Sequence, residues 1–182
     1  FRSGVYADNG LAQEIATLDD IPSPYSRHLA KFRKPFLLME TARGCANRCA
    51  FCTSGNGGVT RYFSLARVRR DLQAIRAGGV REVRVADRTF NEKPDRCRQL
   101  LCMFREEFPD LRFHLEIDPA RLPAKISAEF ARAEPNQLHL ELGIQTFNRA
   151  VIRRLGRQSC VRRARAGLQA LAKIGRLALH VD

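Results

Sequence analysis

The sequence predicts an α/β fold built on a parallel sheet. Three observations carry this. Short apolar or alternating runs at 36–40, 82–86, 113–117, 138–144 and 177–181 have strand character. Between successive runs lie segments with apolar residues at helical spacing. Gly or Pro punctuates the junctions. Strands alternating with helices imply parallel strands joined by crossovers. Four βα units and a fifth strand make an incomplete barrel.

Residues 1–34 hold turn formers and little periodicity, and Pro22 and Pro24 force an extended path. They read as a linker, with the core at 35–182. Phe36–Glu40 is the first strand. Gly55, Gly57 and Gly58 mark a turn after the loop that follows it. Ser64 suits a helix cap, and Leu65, Val68, Leu72 and Ile75 share one helix face. Gly78 and Gly79 stop that helix. Glu82–Ala86 is the second strand, and Asp95–Phe108 a helix between Pro94 and Pro109. In Phe113–Ile117, Phe113, Leu115 and Ile117 point one way. Ala124–Ala133 is helical, with Pro135 as breaker, and Leu138–Ile144 is the fourth strand. Ala150–Leu155 and Val161–Ile174 are helices split at Gly156, and Leu177–Val181 is the fifth strand.

The 182 residues suffice for one domain with a substantial core. No apolar run is long enough to span a bilayer, and no targeting segment is visible. The expectation is a soluble, cytoplasmic piece of a longer chain, with no membrane partner. Six cysteines, three of them in one loop, argue against a secreted disulfide scaffold. Net charge is +13, carried by 27 Arg and only 5 Lys. The arginines are scattered along predicted helices, which favours a solvated face over a nucleic-acid footprint.

The loop after the first strand carries the chemistry. Cys45, Cys49 and Cys52 stand in Cys-x-x-x-Cys-x-x-Cys spacing. Three thiolates so close can converge on one metal centre. A structural zinc or a fully ligated iron–sulfur cluster wants four protein ligands, so three leave a position open. Cys97, Cys102 and Cys160 lie on predicted helices and read as structural. His28, His114, His139 and His180 show no ligand spacing. Parallel barrels collect reacting groups where strands end. Those ends carry Glu40, Asp87, Glu116, Glu141 with Gln145, and Asp182. Acceptors of this kind suit hydroxyls and an ammonium group.

The cysteine spacing, with Phe51 just before the third cysteine, resembles the signature of the radical S-adenosylmethionine (radical SAM) superfamily. The resemblance implies a six-unit partial (β/α) barrel of the TIM type, here ending after its fifth strand. It implies a 4Fe–4S cluster on Cys45, Cys49 and Cys52, with S-adenosylmethionine on the open iron. Reductive cleavage would then give a 5′-deoxyadenosyl radical. The stretch Glu141-Leu-Gly-Ile-Gln-Thr-Phe-Asn resembles the family's fourth-strand motif and assigns Gln145 to the cofactor. Glu116-Ile-Asp-Pro matches the third-strand motif and assigns Glu116. Arg157 falls where an Arg meets the cofactor carboxylate, Asp182 where an Asp meets the ribose, and Phe51 where backbone meets the adenine. The second strand end departs from the usual Gly-rich motif. Asp87 stands there, assigned to the amino group, with Thr89 and Asn91 toward the substrate. This stretch and Phe113-His-Leu-Glu-Ile are similar to cobalamin-binding members, whose corrinoid would come through a preceding domain and support methyl transfer. The implied partners are a small-molecule substrate and an electron donor such as flavodoxin or ferredoxin. Two other readings stand beside this one. One is a tRNA-modifying methylthiotransferase, which the Arg-Gly-Cys loop also resembles; the other is a non-catalytic metal-binding module.

Overall fold

A computed structural model describes residues 4, 6, 8, 10, 15–26, 34–53, 58–157 and 160–182. In chain order its elements are β1 (Leu37–Met39), β2 (Ala42–Arg43), β3 (Arg61–Tyr62), α1 (Leu65–Ala77), β4 (Glu82–Val85), α2 (Pro94–Glu107), β5 (Arg112–Ile117), α3 (Ala124–Ala131), β6 (Leu138–Leu142), α4 (Arg149–Arg154), α5 (Val161–Ala172) and β7 (Ala178–Val181). Short 3₁₀ turns sit at Leu18–Asp20 and Pro119–Arg121. Five strands pair in parallel in the order β1, β4, β5, β6, β7. Spatial order follows chain order, so the chain winds one way, as a barrel wall does.

Burial alternates along the strands. Val83, Val85, Phe113, Leu115, Ile117, Leu138, Leu140 and Leu142 are buried on one face. Val68, Leu72 and Ile75 of α1, Leu100 and Phe104 of α2, Ile126 and Phe130 of α3, and Leu171 of α5 complete that core. The Phe104 and Phe113 rings stack with centroids 3.8 Å apart. The other face carries Arg84, His114, Glu116, His139, Glu141 and His180, none of them buried. A parallel sheet with apolar packing on one face and polar residues on the other is a barrel wall with a hydrophilic inner lining.

The predicted elements stand at or near their predicted places. Ser64 caps α1 by accepting from the Arg67 N–H at 3.0 Å. The fourth strand ends at Leu142, two residues short of Ile144, because Gln145 turns out at φ 66°. Gly55, Gly57 and His28 lie outside the described residues. Part of the stretch read as a linker is docked. Leu18 is buried, and Arg67 donates to the carbonyls of Asp19 and Ile21 while pairing with Asp71 at 2.9 Å. Ser23 Oγ donates to Asp71, and Tyr25 to the carbonyl of Leu38.

Three contacts position the cysteine loop's base and the outer helix. β2 and β3 form a two-residue antiparallel ladder that closes the loop 44–60. Asp87, at the end of β4, accepts from the Thr41 and Ala42 N–H groups at 2.6 and 2.9 Å and from the Thr41 hydroxyl. This carboxylate turns the chain out of β1 and into β2. On the far side, α5 packs so tightly on the Pro119 turn that a Cβ at Gly167 would lie 2.0 Å from the Pro119 oxygen.

Gly167→Ala should cost about 2 kcal/mol of stability by overpacking, read by chemical denaturation. Asp87→Ala orphans two buried N–H groups and should cost about 3 kcal/mol in the same measurement. A loss below about 1 kcal/mol for Asp87→Ala would mean that water satisfies those groups.

Candidate metal and cofactor site

The C-terminal ends of the strands enclose a cavity of about 150 Å³. Cys45, Cys49, Cys52 and Phe51 line it from the loop, Glu116 from β5, Gln145 from the turn after β6, Arg157 from the α4–α5 turn, and Asp182 from the end of β7. Eight of the nine site residues assigned from sequence therefore face one space. Asp87 is not among the lining residues; it is buried, with its carboxylate turned to Thr41 and Ala42. Its place at a strand end is as expected, but its partner is the neighbouring backbone.

The loop is held over the cavity from both sides. Asp87 fixes its root. Opposite, the Ala50 N–H donates to the Leu155 carbonyl at 2.9 Å. Gly156 adopts φ 66°, and a Cβ there would sit 2.7 Å from the Arg48 oxygen. Cys45 and Cys49 are buried, and Cys52 is half-buried. Burial pushes the Cys49 thiol up; Arg157 pulls it down, and Cys45 and Cys52 push it up again. The Cys49 thiol thus senses the other two sulfurs and one guanidinium. All six cysteines are free. Among the described residues, no three His, Cys, Asp or Glu side chains are gathered tightly enough to enclose a single metal ion. A cubane takes each thiolate on a different iron and asks for a wider spread. Asn47, also on the loop, has a buried Oδ1 without a hydrogen-bond partner among the described residues. Three thiols facing an opening with an unsatisfied polar atom beside them fit a three-ligand cluster.

The cavity's other walls are polar and of both signs. Arg157 donates to the Gly143 carbonyl at 2.5 Å. Gln145 holds its left-handed backbone by donating its N–H to the Asp182 carbonyl at 2.8 Å. Burial pushes the Glu116 carboxyl up, Arg88 pulls it down, and Glu141, followed by Asp182, adds to the rise. Arg88, Asn47, Asp118, Glu141 and Gly143 also line the space and were not assigned from the sequence. Glu141 was visible as a strand-end carboxylate. Arg88 carried no signal among 27 arginines.

The remaining candidates have local partners. Asn91 is fully buried and bonds the Asp118 backbone in both directions. Thr89 lies 3.8 Å from the Cys45 sulfur. His114 bonds Glu141 at 2.8 Å and packs edge-on to His139. Burial pushes the Cys97 thiol to about 12, while Cys102 sits beside Glu129 and Arg105. Among the described residues no helix is long and apolar enough to cross a membrane.

Comparison with known proteins agrees with this architecture. The family model of the Radical SAM superfamily matches residues 39–180. The ribosomal protein uS12 methylthiotransferase RimO of Moorella thermoacetica is 30% identical over 176 residues, covering 86% of this chain and 39% of its own length. The chain therefore spans about two fifths of that relative. The radical S-adenosylmethionine methyltransferase TsrM of Kitasatospora setae, solved with tryptophan substrate and a cofactor analogue, matches with TM-score 0.66 at 16% identity. The match covers 80% of this chain and 30% of TsrM, which has also been solved with cobalamin and a 4Fe–4S cluster. SuiB of Streptococcus suis, bound to the precursor peptide SuiA, matches with TM-score 0.66 at 17% identity, over 97% of this chain and 40% of SuiB. At such identities the structural likeness speaks for the fold alone. The family match covers most of the chain and includes the three-cysteine loop, the strand ends and the wall between them: the chain belongs to the radical SAM superfamily.

Proposed function

We propose that this chain is the core of a radical SAM enzyme, in which Cys45, Cys49 and Cys52 hold a 4Fe–4S cluster beside an S-adenosylmethionine pocket. One observation carries the reading: the three thiols share a single cavity with Phe51, Glu116, Gln145, Arg157 and Asp182. Held by Cys45, Cys49 and Cys52 and reduced by a flavodoxin- or ferredoxin-type donor, such a cluster would supply one-electron reduction of a sulfonium bound beside it. The chain's own residues bind and orient. Arg157, already beside Cys49, offers its guanidinium fork to a carboxylate. Glu116 and Asp182 accept from hydroxyls or an ammonium group. Gln145, fixed by its backbone, projects an amide that both donates and accepts. Phe51, half exposed at the rim, presents an apolar edge to a flat base. Asp87 acts through the loop it anchors and touches no ligand.

Methyl transfer with a corrinoid, carried by a further domain, is the outcome we favour; it is supported by the resemblance of the stretches 87–91 and 113–117 to cobalamin-binding members. The RimO likeness supports a second outcome, transfer of a methylthio group to a macromolecule. A reducing cytoplasm suits six free thiols.

Anaerobic reconstitution should load about four irons and four sulfides per chain. Reduction should then release 5′-deoxyadenosine from S-adenosylmethionine. Cys49→Ala should lose both the brown chromophore and the release; a variant that keeps both would overturn the assignment. Added methylcobalamin that accelerates cofactor turnover would favour the first outcome over the second.

Glu116→Gln separates binding from folding. The native carboxyl is raised above its unfolded value, so it costs the fold stability progressively as pH rises from the unfolded value, and in full once pH exceeds the raised one. The variant should therefore be more stable than the parent at neutral pH. The difference should vanish below about pH 4, where both states of the parent are protonated. Affinity for S-adenosylmethionine should fall about tenfold, measured by calorimetry on the loaded protein.

A further inference from the structure

The positive charge is not spread evenly. Residues 142–181 hold eight Arg and one Lys and no Asp or Glu, so they supply +9 of the net +13. Elsewhere, surface arginines meet carboxylates: Arg69 pairs with Glu107, Arg76 and Arg81 with Asp110, and Arg105 with Glu129. Arg149, Arg153, Arg154 and Arg162, on α4 and α5, are exposed and have no carboxylate partner among the described residues. The two helices border an open groove of about 740 Å³ lined by Arg149, Arg153, Arg157, Arg162 and Arg163. Arg157 lines the thiol cavity as well, so the groove and the cavity meet at that residue. Phe147 stands exposed nearby, with the Arg165 guanidinium 4.6 Å from its ring centre. The scattered arginines of the sequence are gathered by the fold onto one face, with an aromatic among them.

We propose that this groove binds the backbone of a single-stranded nucleic acid and leads it toward the thiol cavity. The guanidiniums of Arg149, Arg153 and Arg162, without a carboxylate partner among the described residues, match a row of phosphates, each of which a planar fork can grip through two bonds. An acidic protein would meet the same charges, but the Arg165–Phe147 stack adds a flat apolar surface that bases use and carboxylates do not. A small anion would need one guanidinium pair, whereas five line this groove. Where the strand leads depends on the cavity being the reaction site; the binding itself does not, so the two readings fail separately.

The test is fluorescence anisotropy of a labelled mixed-sequence RNA of about 12 nucleotides with the reconstituted protein. Binding should weaken between about 50 and 200 mM salt with a log–log slope near −3, as about four neutralised phosphates require. R149E/R153E/R162E should weaken binding at least about tenfold and flatten that slope. The matched control R70E/R98E/R112E, with the same charge change on other faces, should stay within about twofold. Phe147→Ala should weaken RNA binding about fivefold and leave poly-glutamate binding unchanged. Circular dichroism confirms folding, and R153Q/R162Q replaces the triple variant if that variant is unfolded. No binding at low salt, equal loss in the control, or displacement by poly-glutamate at equal charge would each overturn the proposal, the last in favour of an acidic protein.

Discussion

A single buried carboxylate decides where the chemistry of this chain can happen. Asp87 ends β4 and grips the two amides that follow β1. That grip, together with the β2–β3 ladder, bends the chain leaving β1 across the strand ends. The other side of the loop is fixed differently, by one amide on the Leu155 carbonyl and by the absence of a side chain at Gly156. The described stretch 44–53 thereby becomes a bridge with two abutments. Three thiols hang from it over a cavity whose floor is the sheet itself.

The cavity's electrostatics follow from that arrangement. Thiols and Arg157 share one side; Glu116, Glu141 and Asp182 crowd another. Burial raises the Glu116 carboxyl first, and the Glu141 and Asp182 charges add to that rise. The wall thus brings carboxylates and a guanidinium to one space. The inner face of the sheet continues the theme, with His114 bonded to Glu141 and held beside His139. Burial and the two neighbouring histidines keep His139 below the usual imidazole range.

Much of this could be read from the chain before any coordinates. Period-two and period-3.6 patterns located the five long strands and the principal helices, because one face of each is apolar. Cysteine spacing found the loop, and strand ends found most of the cavity. The misplaced residue is instructive. A carboxylate at a strand end looks the same in sequence whether it faces a ligand or the next strand's backbone, and Asp87 does the latter. β2 and β3 were invisible because two residues carry no periodicity. The docking of Leu18 was invisible because a lone apolar residue in a proline-rich stretch gives no pattern. The carboxylate-free run 142–181 was legible in the sequence, but that its arginines line one groove needed the fold to bring α4 and α5 side by side.

Arg157 touches both halves of this picture, lining the cavity from above and the outer groove from below. It bonds the Gly143 carbonyl and bears on the Cys49 thiol. Thermodynamic reciprocity then applies: any occupant of the groove that changes the affinity inside the cavity must have its own affinity changed by the same factor from within. The guanidinium of Arg157, common to both linings, is where such a coupling would act.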